Sequence, residues 1–269
     1  MNQPEVSLII SFYNRIDFLK LVFAGLKRQT FKNFEVIIAD DGSKEEVVNE
    51  IEKLSREINF PIAHIWQEDK GFRKNKILNQ AIVNSNSTYL IFIDGDCIPH
   101  RDFISEHFSH RQLNICLTGR RVNLSQKLSE SLSTKKVKEG ILENQFFLLK
   151  DGLLGKSTDV EKGFFIRNKF LRKYFNKKKR GLLGCNFSIY KNDLLIINGF
   201  DERYIAPSIG EDSDVQFRLE LAGVRVRSLN NIAVQYHLYH KLQPRPIENL
   251  RLFETVKTEK QAFSKFGIK

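Results

Sequence analysis

Two carboxylates one glycine apart, Asp94-Gly95-Asp96, directly follow the apolar run 89–93. Such a pair can reach one hard divalent cation together, and the glycine lets the backbone approach a diphosphate. A solvated turn is the plainer alternative, but a place at the end of a buried strand favours a ligand site. Asp40-Asp41-Gly42-Ser43 closes a second apolar run. Its carboxylates can accept from a base N–H or from ribose hydroxyls; Asp-Gly is also good turn chemistry, and Ser43 can cap a following helix. Gln67 to Arg73 ends a third run, either as a charged loop or as a place where Arg73 or Lys76 neutralises phosphate oxygens. Gly210-Glu211-Asp212-Ser213-Asp214 precedes a helical pattern carrying Val215, Phe217, Leu219 and Leu221. Acids there cap the helix and suit its dipole, and a capped helix end is also a rigid mount for a general base. His237, at the end of an apolar stretch, is either structural or completes a metal site.

These groups need elements to hold them. Residues 6–12, 34–39, 62–66 and 89–93 are short apolar runs rich in β-branched residues, the pattern of strands buried on both faces. Between them, 17–29, 45–58 and 74–84 carry helical stripes. The β-α-β-α-β-α-β alternation predicts a mainly parallel sheet with helices on both faces, and the acidic clusters fall at the strands' carboxyl ends, where such sheets bind ligands. The rhythm weakens near residue 100, dividing the chain into a nucleotide-binding half, 1–100, and a more specialised half, 101–269. In the second half the pattern predicts strands at 113–118, 186–190 and 224–227, helices at 128–149 and 213–222, and a charged helical tail after Pro244 and Pro246. From Gly163 to Arg180, aromatic and basic residues alternate; one helical face could gather Phe164, Phe165, Leu171, Tyr174 and Phe175. That is either a core helix with a solvated basic end or a helix lying on an anionic membrane.

The chain has 269 residues, 41% of them hydrophobic with 22 Phe, which is ample material for a core and excludes general disorder. Its net charge of +11 invites an anionic partner: nucleic acid, acidic lipid or a phosphorylated substrate. Cys97, Cys116 and Cys185 form no C-x-x-C pair, so they read as free thiols in a reducing compartment rather than as metal ligands. No signal peptide and no apolar stretch of membrane-spanning length is visible. The expected location is cytoplasmic, free or peripheral on the inner face of the cytoplasmic membrane.

The array Ser11-Phe12-Tyr13-Asn14-Arg15, Asp40-Asp41-Gly42-Ser43, Asp94-Gly95-Asp96 and Glu211-Asp212 resembles inverting family 2 glycosyltransferases of the GT-A fold, a Rossmann-like α/β architecture. The stretches Gln67 to Arg73, Gly184-Cys185-Asn186 to Gly199-Phe200-Asp201, and Gly210-Glu211-Asp212 followed by His237 are similar to bacterial chondroitin-polymerase-type domains, which share a carboxyl-terminal segment with the β-1,4-galactosyltransferases. The resemblance covers about 5–100 and 181–240. It implies that Asp41 contacts uracil, with Asp40 and Tyr13 beside the base. Asp94 would lie by the ribose and metal, Asp96 and His237 would ligate Mn²⁺ or Mg²⁺, and Asp212 would be the catalytic base. Ser11, Arg15, Arg73, Lys76, Asn79 and Gly95 would complete the donor site, and Asn186 and Glu211 would meet the acceptor. Where the polymerase-type domains often carry Arg-Asn, this chain has Leu78-Asn79, which leaves phosphate contacts to Arg73 and Lys76.

The expected reaction is metal-dependent, inverting transfer of a sugar (Gal, GalNAc, Glc, GlcNAc or GlcA) from a UDP-sugar to a saccharide or lipid-linked saccharide, in bacterial surface polysaccharide or lipopolysaccharide synthesis. A nucleotidyltransferase would need a phosphate-cradling Gly-rich loop after the first strand, and Ser11 to Arg15 contains no glycine. A nucleic-acid-binding protein would draw on the charge alone, with no recognised motif.

Overall fold

In the computed structural model, which describes residues 3–207, 210–241 and 246–269, the first strand shows why the chain folds as a layered sheet. β1 (Val6–Phe12) turns Leu8 and Ile10 to one face and Ile9 to the other, all fully buried. β2 (Phe34–Asp40), preceded by α1 (Ile16–Leu26), behaves the same way. α2 (Glu45–Arg56), β3 (Ile62–Trp66), α3 (Lys74–Asn84) and β4 (Tyr89–Asp94) complete the alternation. Leu19, Val22 and Phe23 of α1 and Ile51 of α2 pack on one face, and Ile77, Ala81 and Ile82 of α3 on the other. These four strands are parallel in the order β3-β2-β1-β4. The chain winds outward from β1 to β3 and then returns to the far side of β1. The crevice between the ends of β1 and β4 is therefore the switch point where ligands bind in open α/β sheets.

The second half extends the same sheet. After β5 (Cys97–Pro99), which ends the first half, it contributes α4 (Phe103–Ser109), β6 (Ile115–Thr118), β7 (Arg120–Asn123), α5 (Gln126–Ser131), α6 (Thr134–Lys138), α7 (Gln145–Leu154) and α8 (Lys169–Phe175). β8 (Asn186–Tyr190), α9 (Lys191–Ile196), α10 (Glu211–Leu221), β9 (Arg225–Ser228), β10 (Val234–His237) and α11 (Ile247–Glu259) follow. β8 runs antiparallel between β4 and β6, and β9 pairs parallel with β6, giving seven strands in the order β3-β2-β1-β4-β8-β6-β9. A second sheet, β5-β10-β7, sits beside it. The sheet is mixed and mainly parallel with helices on both faces, as expected.

Two expectations need correction. The single helix expected over 128–149 is broken into α5, α6, a 3₁₀ turn at Ile141–Glu143 and the start of α7. Ser133 caps α6 by accepting from the Lys136 N–H, Gly140 takes φ +82°, and Asn144 caps α7; each is a local stop stronger than the apolar periodicity. The segment 163–180 is helical only at α8, and no α8 residue is buried, so it is not a core helix. The tail beyond Pro246 is helical as α11, whereas Pro244 lies outside the described residues. All three cysteines are buried free thiols, and among the described residues no helix is long and apolar enough to cross a membrane.

Candidate active site

The Asp94-Gly95-Asp96 turn is fixed to β1. Ser11 lies opposite Asp94 in the β1–β4 register and donates its hydroxyl to Asp94 Oδ1 at 2.5 Å, while the Gly95 N–H donates to the Ser11 carbonyl at 2.8 Å. Asp96 faces the small sheet, where β5 pairs with β10 so that Cys97 lies opposite His237. This pairing carries a histidine from far along the chain to the acidic turn. Asp96 Oδ2 lies 3.5 Å from His237 Nε2 and 3.3 Å from His240 Nε2, and the two Nε2 atoms are 3.1 Å apart. The three ligand atoms lie within 4.8 Å of one another. Burial opposes the charge on Asp96, but hydrogen bonds and charge from His237 and His240 prevail and hold its carboxyl well below the usual range. The hydrogen bond to Asp96 raises His240 in turn. His240 Nδ1 faces the Lys241 carbonyl at 2.9 Å, so in the neutral ring that nitrogen carries the proton and Nε2 turns a lone pair inward. One carboxylate and two imidazoles converging on one point fit a divalent cation, and their grouping leaves further positions for oxygen ligands.

Across the cleft, α10 begins at Gly210, which takes φ +86°. Asp212 is thus in the first helical turn and not at its cap. Its Oδ2 accepts the Gly184 N–H at 2.7 Å, and a Cβ on Gly184 would overlap that carboxylate. Lys74, in the first turn of α3, places Nζ 3.2 Å from Asp94 Oδ1 and 3.4 Å from Glu211 Oε1. This ammonium ties the β4 end to the start of α10. Burial raises both α10 acids, with Lys74 opposing the rise; Glu211 is pushed up to about 7 and Asp212 upward from the ordinary Asp value.

The third corner is the β2 end. Asp41 accepts from Gln67 Nε2 at 2.5 Å and from the Arg73 N–H at 2.8 Å, and burial raises its carboxyl. Gly42, at φ +93°, lies against Asp69, and a side chain there would meet its backbone at 2.6 Å. The half-exposed Tyr13 donates its hydroxyl to Asp69 Oδ2 at 2.9 Å.

One cleft of about 1790 Å³ joins the three corners. Ser11, Tyr13, Arg15, Asp41, Asp94, Gly95, Asp96, Glu211, Asp212 and His237 all line it. Five residues expected in the site do not. Asp40 is fully buried, its oxygens spent on the Ser43 N–H and hydroxyl and on His64. Asn79 bridges to Phe200 and Glu202. Asn186 accepts from or faces His107 and donates to the Arg120 and Ala233 carbonyls. Arg73 turns its guanidinium to the Glu68 carbonyl, and Lys76 does not reach the cleft. Lys74 is the cation of this segment that faces it. The sequence pattern also passes over His240 and Arg121. Arg121 lines the cleft from β7, donating Nη1 to Cys185 Sγ at 3.2 Å and Nε to Asn123 at 3.2 Å.

Comparison with known proteins places the chain in a family. The family model "Glycosyl transferase family 2" matches residues 7–175. The chain belongs to this family. A second model, "N-terminal domain of galactosyltransferase", matches 167–241 and so covers both Asp212 and the two histidines. Chondroitin synthase of Escherichia coli is 28% identical over 243 residues, 86% of this chain and 34% of that protein; the chain thus spans about a third of that relative. Among solved structures, a mannosyltransferase from Pyrobaculum calidifontis in complex with GDP-Man and Mn²⁺ matches with a TM-score of 0.58 at 14% identity, covering 94% of this chain and 61% of that one. S. aureus TarS 1–349 in complex with UDP matches with a TM-score of 0.58 at 16% identity, covering 95% and 65%. The fold is GT-A, and the chain carries a glycosyl transferase family 2 domain.

Proposed function

We propose that this glycosyltransferase moves a sugar (Gal, GalNAc, Glc, GlcNAc or GlcA) from a UDP-sugar to a saccharide or lipid-linked saccharide hydroxyl, with inversion, in bacterial surface polysaccharide or lipopolysaccharide synthesis. The observation that carries the reading is the cleft itself: the Asp96–His237–His240 triad, the Asp212 carboxylate and Asp41 all line it. On this reading residues 1–100 hold the nucleotide and 101–269 supply the acceptor side and the base.

Asp41 is placed to accept from the base N–H, with Tyr13 over the same corner. Among the cations that line the cleft, Arg121, and Arg15 on release from Asp17, would meet the diphosphate. Asp96, His237 and His240 would hold the cation, and two imidazoles beside one carboxylate suit Mn²⁺ better than Mg²⁺. Bound there, the ion would neutralise charge on the departing diphosphate. Asp212, held by the Gly184 N–H, takes the acceptor hydroxyl proton as that oxygen attacks the anomeric carbon; the bond to the diphosphate breaks and UDP leaves with the electron pair. A carboxyl raised by burial is a stronger base than an ordinary Asp. Glu211 stands beside it at the acceptor side.

The test is UDP release by the purified chain over a panel of UDP-sugars, with Mn²⁺, with Mg²⁺ and with chelator. The expected result is release from one or a few donors that needs the metal and is greater with Mn²⁺. Release indifferent to metal, or absent across the panel, would overturn the proposal.

A further inference from the structure

We propose that residues 164–180 seat the protein on an anionic lipid surface, beside the acceptor wall of its cleft. α8 holds four large apolar side chains that stay open to solvent: Phe170 is 86% exposed, Tyr174 66%, and Leu171 and Phe175 about half. Yet the helix is fastened to the body. Arg172 makes two hydrogen bonds to the Glu106 carboxylate, at 2.8 and 2.6 Å, and another to the Ile166 carbonyl. Asn176 and Asn230 exchange hydrogen bonds at 3.0 and 2.8 Å, and Asn168 caps the start by accepting from the Phe170 and Leu171 N–H groups. Polar contacts hold the helix in place while its apolar side chains are left to solvent, the reverse of an ordinary surface helix.

The charge around it selects the partner. From Phe164 to Leu183 there is no acidic residue, against eight cations: Arg167, Lys169, Arg172, Lys173 and the run 177–180. Among the described residues only Arg172 of these is paired with a carboxylate. A soluble polyanion without bases would be met by the cations alone, and the bases of a single-stranded nucleic acid could stack on Phe170 and Tyr174 but give no role to the half-exposed Leu171. The interface of an anionic bilayer takes both, apolar side chains at the acyl boundary and cations at the headgroups. α7 packs on the 3₁₀ turn Val160–Gly163 that precedes this segment, with a Cβ at Gly152 or Gly163 meeting Val160 or Leu148, and it leaves Phe146, Leu153 and Leu154 largely exposed. The segment then runs straight into Leu182, Leu183 and Gly184, which line the cleft, and the Gly184 N–H holds Asp212. Docking would therefore bring the acceptor side of the cleft to the membrane.

The docking goes beyond the transfer reaction and is tested without donor or acceptor. The full chain is co-sedimented with vesicles of phosphatidylcholine and of phosphatidylcholine with phosphatidylglycerol, at low and high salt. The expected result is binding to the anionic vesicles alone, weakened by salt. One variant carries Lys177→Ser, Lys178→Ser and Lys179→Ser, expected to lose about fivefold in partition per cation. A second carries Phe170→Ser and Tyr174→Ser, expected to lose most of the binding that survives at high salt. Because all five positions are outside the cleft, UDP release in solution should stay at the parent level in both, which shows that the variants are folded. Absent binding to anionic vesicles at low salt would overturn the proposal. So would binding that the Phe170→Ser/Tyr174→Ser variant leaves intact, since a merely basic surface that prefers soluble polyanions gives that result.

Discussion

Replacing Lys74 with Met removes the cation that joins Asp94 to Glu211 while keeping the length of the side chain. At separations of 3.2 and 3.4 Å, each attraction is worth about 5 kcal/mol before desolvation at an effective dielectric near 20. The net loss is smaller, because the ammonium also paid to leave water. A buried pair broken on one side typically costs about 3–5 kcal/mol, since the remaining charges are left uncompensated. Glu211 is already pushed up to about 7 and Asp212 is raised by burial; without Lys74 both rise further. A raised carboxyl keeps its proton to higher pH, so the charged base is lost sooner as pH falls. The acid limb of the kcat/KM profile should therefore move upward by about one to three pH units, with activity largely recovered on the alkaline side. Stability should show the same sign: the variant's deficit is small in acid, where the carboxylates are neutral, and grows as pH rises through their raised values. Rate profiles from roughly pH 5 to 10, with thermal melts at each end, read both effects. An unmoved acid limb together with an unchanged melting temperature would refute the assigned role of Lys74.

Asp96→Ala should abolish transfer and the stabilisation of the protein by Mn²⁺, with the metal-free melting temperature showing that the fold is retained; transfer near the parent rate would remove the metal-site reading. His240→Ala should weaken Mn²⁺ binding by more than the roughly 10–100-fold that follows loss of an outer partner to a ligand, read as the Mn²⁺ dependence of the thermal shift; an unchanged midpoint would leave His240 a mere neighbour. Gly184→Ala should displace the Asp212 carboxylate, lowering turnover while UDP affinity measured by calorimetry stays at the parent value; unchanged turnover would show that the wall yields without cost.

The sheet was readable because strands buried on both faces are continuous apolar runs, and Asp40-Asp41 and Asp94-Gly95-Asp96 break those runs sharply at their carboxyl ends. Which of two adjacent acids meets the ligand is a matter of strand alternation. Ile38 and Asp40 point to the face covered by α1 and α2, so Asp40 meets His64 and Ser43, while Ala39 and Asp41 open to the cleft. At the start of α3, Lys74 faces the cleft while Arg73, one position before it, and Lys76, two after it, do not, and a helix start is poorly marked where no side chain caps it. Arg121 and His240 sit on or just after strands of four residues, too short to show alternation, and their approach to Asp96 depends on the pairing of both β5 and β7 with β10. The basic segment 163–180 carried an apolar pattern fit for a core, but the polar contacts of Arg172 and Asn176 turn it outward.

Asp212→Asn tests the central claim most directly. Asn keeps the size of the side chain and an oxygen for the Gly184 N–H, so the wall and the UDP corner should be undisturbed, but it cannot take a proton from the acceptor. With Mn²⁺ and the donor that the parent protein uses, the expected result is UDP affinity equal to the parent and sugar transfer lower by about 10²–10⁴-fold. Transfer at the parent rate in a variant that binds UDP normally would contradict the account.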